Sequence, residues 1–227
     1  MSKKTFISWS SGKDSAWALH VLRQDPCVEV AGLFCTVNKK FNRVAVHGVR
    51  TELLQQQAKQ VNLPLHIVEI PYPCNNDDYM NAFKTFVIAA KKMRIDCFAF
   101  GDLFLKNVRQ YREELLEGTG ITPLFPLWGV PTDLLSREMI SNGLKAVITC
   151  LDPKQISTKF AGRDYDESFL NDISAKIDPC GENGEFHSFA FEGPMFQNPI
   201  EIVLGKTIMR SGICFTDVLP KPKGSQT

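Results

Sequence analysis

The stretch FISWSSGKDSAW, residues 6 to 17, opens as an apolar run, breaks into small polar residues, and carries a lysine and an aspartate straight into a segment of helical period. A strand that ends at Ser10, Ser11 and Gly12 and turns helical at about Ser15 leaves several backbone N–H groups without intrahelical acceptors. Such a helix start binds anions. Small side chains let a phosphate approach the backbone, and Lys13 adds a point charge that can follow it. The expected ligand of Ser10, Ser11, Gly12, Lys13, Asp14 and Ser15 is therefore a polyphosphate. This is not a Walker A loop, because GxxxxGK[ST] needs glycine where Ile7 stands and Ser or Thr where Asp14 stands. A plain helix start with Asp14 and Ser15 as caps accounts for Gly-Lys alone, but the strand context and the full string point to a nucleotide. On this reading Lys13 is an exposed loop residue, and its removal spares the unliganded fold.

Outward from the loop, apolar runs rich in β-formers alternate with segments of helical period: KTFISW (4–9), EVAGLFCTV (29–37), LHIVEIP (65–71), CFAFGDL (97–103) and KAVITCL (145–151). This βα repeat predicts an α/β fold with a mostly parallel sheet. The clearest helix is DDYMNAFKTFVIAAKKMR (77–94), where Tyr79, Phe83, Phe86, Ala90 and Met93 recur at helical spacing, with Asp77 and Asp78 at its start and Lys91, Lys92 and Arg94 at its end. Beyond residue 152 the pattern changes. DPCGENGEFHSFAF (178–191) and IEIVLGKTIMR (200–210) read as a β-hairpin pair, which predicts a nucleotide-binding domain over 1–143 and a smaller α+β domain over 144–227. PKPKGSQT (220–227) reads as a frayed tail.

With 227 residues the chain can bury a substantial core. Lys and Arg number 26 against 25 Asp and Glu, for a formal net charge of +1, and no block of like charges occurs. There is thus no broad field for nucleic acid or a membrane, and a small or locally recognised substrate is expected. Seven scattered cysteines without a CxxC pair argue against a zinc ribbon and a disulfide scaffold. MSKK runs directly into strand-like sequence, with no signal-peptide stretch and no run of about 18 apolar residues. A cytoplasmic protein is expected, and a homodimer is left open.

Several residues combine suitable chemistry with a suitable place. His47, in VAVHGVR (44–50), stands just before a helix, as a cap or a site residue. Asp102 ends a strand at the sheet edge where α/β folds bind ligands, which suits a Mg²⁺ or ribose contact as well as a helix cap. Arg109 and Arg112, one turn apart, form either a phosphate clamp or, with Glu113, an exposed ion-pair face. Leu33 and Phe34, near the end of a strand, are adenine contacts or plain core. Glu182 and Glu185, flanked by glycines, suit ammonia, Mg²⁺ or a substrate amine, or else a solvated turn. His187 alternates with Phe189 and Phe191, on a site face or a core face.

SSGKDS (10–15) resembles the SGGKDS loop of the PP-loop ATP pyrophosphatase superfamily, with Ser11 at the first glycine. HGVRTELLQQQAKQVNLPL (47–65) is similar to one segment of the diphthine–ammonia ligase family at His47, Leu53, Gln57, Ala58 and Pro64. FGDLFLKNVRQYREELLEGTGITPLFPLW (100–128) is similar to another at Gly101, Arg109, Glu113, Leu127 and Trp128. CGENGEFHSF (180–189) resembles the family's GEGGEYET element at Gly181, Glu182, Gly184 and Glu185, and departs from it at Asn183, Phe186, His187 and Ser188. The resemblance spans nearly the whole chain and fits the short branch without extra C-terminal domains.

It implies a HUP-like (adenine nucleotide alpha hydrolase-like) parallel-sheet domain that uses ATP and Mg²⁺. A carboxylate acceptor would be adenylated with loss of pyrophosphate, then amidated by free ammonium. In the family that carboxylate is diphthine, a modified histidine on a translation elongation factor. Lys13, His47, Glu182 and Glu185 would be catalytic. The loop 10–15, Leu33, Phe34, Gly101 and Asp102 would hold the nucleotide, with Asp102 also on the metal, and Arg109, Gly181, Asn183 and His187 would face the substrate in a pocket between the two domains. Two other readings stay open: a PP-loop tRNA-modifying enzyme, against which the balanced charge weighs, and a non-catalytic ATP-binding sensor.

Overall fold

A computed structural model describes residues 2–222, so most of the tail expected at 220–227 lies outside the described residues. The N-terminal half forms a six-stranded sheet of β1 (Lys3–Ser8), β2 (Val28–Asn38), β3 (Arg43–Val44), β4 (Leu65–Ile70), β5 (Cys97–Ala99) and β6 (Thr122–Leu124). The order β4-β2-β1-β5-β6 is parallel throughout, and the two-residue β3 adds antiparallel to the end of β2. Strand order reverses at β1, which has β2 on one side and β5 on the other. The crevice beyond the carboxyl ends of β1 and β5 is where such sheets place ligands.

The helices α1 (Lys13–Leu22), α2 (Thr51–Gln60), α3 (Asn76–Lys92) and α4 (Lys106–Leu116) connect these strands and cover both faces. Because side chains alternate along a strand, the register Phe6↔Phe98 and Ile7↔Leu33 and Ile7↔Ala99 sorts the core into two. Phe6, Phe34, Phe98 and Phe100 pack against Phe83, Val87 and Ala90 of α3 and Leu115 and Leu116 of α4. Ile7, Leu33 and Ala99 face the opposite way, toward α1, α2 and the second sheet. Helix α3 forms as the sequence predicts, with the Asn75 side chain capping the Asp78 N–H at 2.8 Å, although Met93 at its end is exposed.

After α5 (Thr132–Ser141), the strands β7 (Lys145–Leu151), β8 (Phe186–Glu192), β9 (Ile202–Arg210) and β10 (Ile213–Pro220) form an antiparallel sheet in the order β8-β7-β10-β9, with the short α6 (Glu167–Asp172) alongside. Two expectations are corrected here. KAVITCL is β7 of this antiparallel sheet and no part of the parallel one; an apolar run buried on both faces reads alike in either setting. The stretches at 178–191 and 200–210 do not pair with each other. Strand β8 pairs with β7, and β9 forms its hairpin with β10 through a turn at 211 and 212. The fold class is as expected: an α/β fold with a mostly parallel nucleotide-binding-type sheet, together with a separate antiparallel sheet.

One hydrophobic core runs from α1 and α2 into the second sheet, joining Trp9, Trp17 and Leu53 with Val147, Phe186 and Phe189. At the seam, Asp217 of β10 takes Arg43 at 2.9 Å and Arg50 at 2.6 Å, fixing the loop that carries His47. All seven cysteines are free, with Cys27 exposed and Cys74 half-buried. Among the described residues, no helix is long and apolar enough to cross a membrane.

Candidate functional site

The loop between β1 and α1 turns on Ser11, whose φ of 69° lies in the left-handed region. The sequence places serine where glycine would take that angle without strain. Neighbours hold the backbone there: the Ser11 carbonyl accepts from Gln57 Nε2 at 2.9 Å and from the Ala190 N–H at 3.0 Å. Gln57 is fully buried; it also donates to the Ala190 carbonyl at 2.6 Å and accepts from Trp9 Nε1 at 2.8 Å. Residues from both sheets therefore set the start of α1. Gly101, just beyond β5, makes a second close approach, since a Cβ there would lie 3.1 Å from the Asp14 carbonyl carbon.

Lys13 is not an exposed loop residue. Only 2% of its side chain reaches solvent. Its ammonium donates to both Asp14 carboxylate oxygens at 2.9 Å and to the Cys180 carbonyl, and lies 5.3 and 5.4 Å from the ring centroids of Tyr165 and Phe186. Burial opposes the charge, but Asp14 and its neighbours outweigh it and hold the Lys13 pKa above its ordinary value. The Lys13 N–H donates to Ser188 Oγ at 3.2 Å, and the Gly12 N–H to Ser10 Oγ at 3.3 Å. Thus part of the α1 start already has hydroxyl partners.

The opposite wall is the segment from Cys180 to Ser188. Gly181 adopts φ +72°, and a Cβ there would lie 2.7 Å from the Phe186 carbonyl oxygen. Its two glutamates diverge. Glu182 lines the cleft and accepts from the Leu103 N–H at 2.8 Å; burial, with the nearby Asp14 and Asp102 carboxylates, raises its pKa to about 7. Glu185 is buried and does not line the cleft. One of its oxygens accepts from the Asp178 N–H at 3.0 Å and from Asn183 Nδ2 at 3.1 Å, while the other has no partner among the described residues.

His187 does reach the cleft, where its ring centroid lies 4.5 Å from that of His47. Burial and the Lys13 charge lower the His187 pKa to about 4. Burial and its histidine neighbour push His47 well below its ordinary value as well. His47 Nδ1 lies 3.4 Å from the Ser188 carbonyl, which it reaches as an N–H donor, leaving Nε2 free to accept.

Together these elements enclose a cleft of about 460 Å³, a size typical of small-molecule sites. Phe34, Gly101 and Asp102 line it with Ser10, Lys13, Asp14, Ser15, His47, Gly181, Glu182 and His187. Ser11 and Gly12 supply backbone behind it. Leu33 turns into the core on the opposite face of β2, as strand alternation requires. Arg109 pairs with Glu113 at 2.8 Å and stacks 4.8 Å from the ring centroids of Phe125 and Trp128, away from the cleft. Asn183 is exposed. The two-arginine clamp does not form: Arg112 alone lines the cleft, over Phe100 at 5.0 Å and 3.4 Å from Asp102. Among the described residues, no group of three His, Cys, Asp or Glu is placed to hold a metal ion.

Tyr165, Cys180 and Ser188 were not recognised from the sequence as partners of Lys13, because their contacts cross some 150 or more positions. Gln57 stood in a matched segment, yet its bridging role depends on both sheets.

The diphthamide synthase N-terminal domain family matches residues 3–123, and the diphthamide synthase C-terminal domain family matches residues 131–218. The chain is 26% identical over 154 residues to the diphthine–ammonia ligase of Homo sapiens, covering 64% of this chain and 56% of that protein. It is likewise 26% identical over 159 residues to the diphthine–ammonia ligase of Danio rerio, covering 68% of this chain and 62% of that one. The matches thus span little more than half the length of these relatives. With both domain families matched in order along nearly the whole sequence, around a cleft walled by the SSGKDS loop and the CGENGEF segment, the chain belongs to the diphthamide synthase family.

Proposed function

We propose that this protein is an ATP-dependent, AMP-forming amide ligase that adenylates a carboxylate and passes it to ammonia. The observation that supports this most directly is the facing, across one cleft, of an anion-binding helix start and a glutamate whose pKa lies near neutrality. The adenine lies toward Phe34 and Thr36 at the end of β2, and the phosphates lie over Ser10 to Ser15. The acceptor carboxylate attacks the α-phosphorus, pyrophosphate leaves, and ammonia displaces AMP from the acyl-adenylate. Lys13, fixed by Asp14 and Cys180, contributes a positive charge already in place as charge develops on the departing pyrophosphate.

Glu182, poised to exchange a proton near pH 7, accepts one from the attacking nitrogen. The neutral rings of His47 and His187 offer lone pairs, not positive charge, to incoming ammonium. Asp102 and Asp14 are the carboxylates suited to hold Mg²⁺ together with phosphate oxygens, as that ion usually binds. When bound it would neutralise phosphate charge, and Asp14, Asp102 and Glu182 bring carboxylate oxygens of the kind it takes to the wall of one cleft. The units 1–143 and 144–227 then act as floor and cover, shielding the acyl-adenylate from water.

The relatives' name makes diphthine the first acceptor to try, carried on an elongation factor as the family resemblance implies. Purified protein is mixed with ATP, ammonium and that acceptor, alongside other carboxylates, and the nucleotide product is identified. AMP with pyrophosphate supports the reading; ADP, or no turnover with any carboxylate, overturns it.

A further inference from the structure

We infer that the acceptor enters through a second cavity between the starts of α3 and α4, and that Arg112, at its inner end, receives the acceptor carboxylate. The inference rests on the ligase reading above. This cavity, a groove of about 570 Å³ largely open to solvent, is lined by Asn75, Asn76, Tyr79, Asn107, Tyr111 and Arg112, with Cys74 and Val108. Tyr79 and Arg112 stand in its wall and in that of the nucleotide cleft, so the two spaces meet at these side chains.

The two spaces differ in charge. Among the described residues, Asp14, Asp102 and Glu182 line the cleft, whereas no carboxylate lines the second cavity and Arg112 is the one cation in its wall. Asp77 and Asp78 flank the mouth at the start of α3, but within the lining itself an anionic acceptor meets no like charge before the arginine and its partner Asp102. Lys13 is already committed to Asp14 and Cys180, whereas Arg112, stacked over Phe100, makes one long hydrogen bond, to Asp102, among the described residues. Its remaining N–H donors suit a carboxylate, which a guanidinium grips with two parallel bonds.

The phosphates belong at the start of α1, and the adenine at the end of β2; Arg112 lies across β1, on the β5 and α4 side, beside Asp102. The cavity lining points to the rest of the acceptor. Three carboxamides and two phenols offer donors and acceptors that match the N–H and C=O groups of an extended polypeptide. The occupant is thus a polypeptide segment that presents a side-chain carboxylate inward.

Initial rates of AMP formation with ATP, ammonium and the diphthine-bearing elongation factor test this. Arg112→Gln should raise the KM for the protein acceptor about tenfold or more while the KM for ATP stays within about twofold. Arg112→Lys should fall between, and Asn107→Ala should raise the acceptor KM about threefold. Half-buried Cys74 provides a reading independent of turnover. Its alkylation by N-ethylmaleimide, followed by peptide mass spectrometry with exposed Cys27 as internal control, should slow with the acceptor protein and not with ATP alone. A raised ATP KM with an unchanged acceptor KM would make Arg112 a phosphate contact and overturn the inference, as would undiminished Cys74 labelling in the presence of an acceptor that turns over. No turnover by the wild type with this or any other carboxylate would instead overturn the ligase reading itself.

Discussion

On the α1 side, the cleft is shaped by backbone and small side chains: Ser10 and Ser15 line it, Ser11 at φ 69° and Gly12 supply the backbone behind, and Gly101 packs against the turn. On the other side they are long side chains from a loop and a strand, and close neighbours there part company. Glu182 faces the cleft, and Glu185, three positions on, faces the core. A site made of backbone is fixed by which residues permit its φ and ψ, a local matter. A site made of side chains is fixed by which way each points, and packing decides that.

Lys13 belongs to both walls, and changing it should have the largest effect. Lys13→Ala leaves Asp14 beside a largely buried pocket without its partner, which should cost about 3 kcal/mol of unliganded stability and abolish AMP formation. Urea denaturation without ATP checks this; unchanged stability would restore the picture of a loop lysine that serves the ligand alone. Next, Glu182→Gln should lower turnover about a hundredfold and remove the limb of the pH–rate profile near pH 7, whereas Glu185→Gln should leave turnover within about threefold. Equal losses in both variants would erase the difference between the two glutamates.

The histidine pair makes a smaller and pH-dependent contribution. With the His187 pKa lowered from 6.5 to about 4 in the fold, the unfolded chain takes up the proton first. Stability is therefore retained above pH 6.5 and lost as pH falls toward 4. Between pH 7 and pH 5 the loss from this residue should be about 2 kcal/mol, and His47 acts in the same direction. His187→Gln should flatten the decline, as read from urea midpoints at the two pH values; an unchanged slope would mean that this ring is freely solvated. Smallest of all, Arg109→Ala removes an exposed ion pair and stacking contact, and should shift stability by no more than about 1 kcal/mol with the KM for ATP unaltered. A large rise in that KM would return Arg109 to the cleft.

What was legible in the sequence follows the same division. Ser10 to Ser15 are legible because strand, glycine and helix start occur together in a short string, and Gly101 only through the family resemblance of its segment. In sequence Leu33 and Phe34 form one candidate pair, yet a single step along β2 sends one into the core and the other to the cleft. Arg109 and Arg112 were grouped because i and i+3 neighbour each other on a helix; Phe125 and Trp128 capture the first, and only the second reaches the site. KAVITCL reads as a strand of the parallel sheet because a buried apolar strand carries no mark of its partner's direction.

By itself, the sequence determined the alternation of strand and helix, the loop of small residues between the first strand and its helix, and the family, since each rests on local backbone preferences and on ordered short motifs. The tertiary structure alone decided that Lys13 is a buried ion pair between two sheets, that Glu182 and not Glu185 faces the cleft, that His47 meets His187, and that Arg112 stands between two cavities. The physical reason is that a backbone conformation is selected by the few residues that adopt it, whereas the environment of a side chain, and with it its charge and reach, is set by whatever distant segment packs against it.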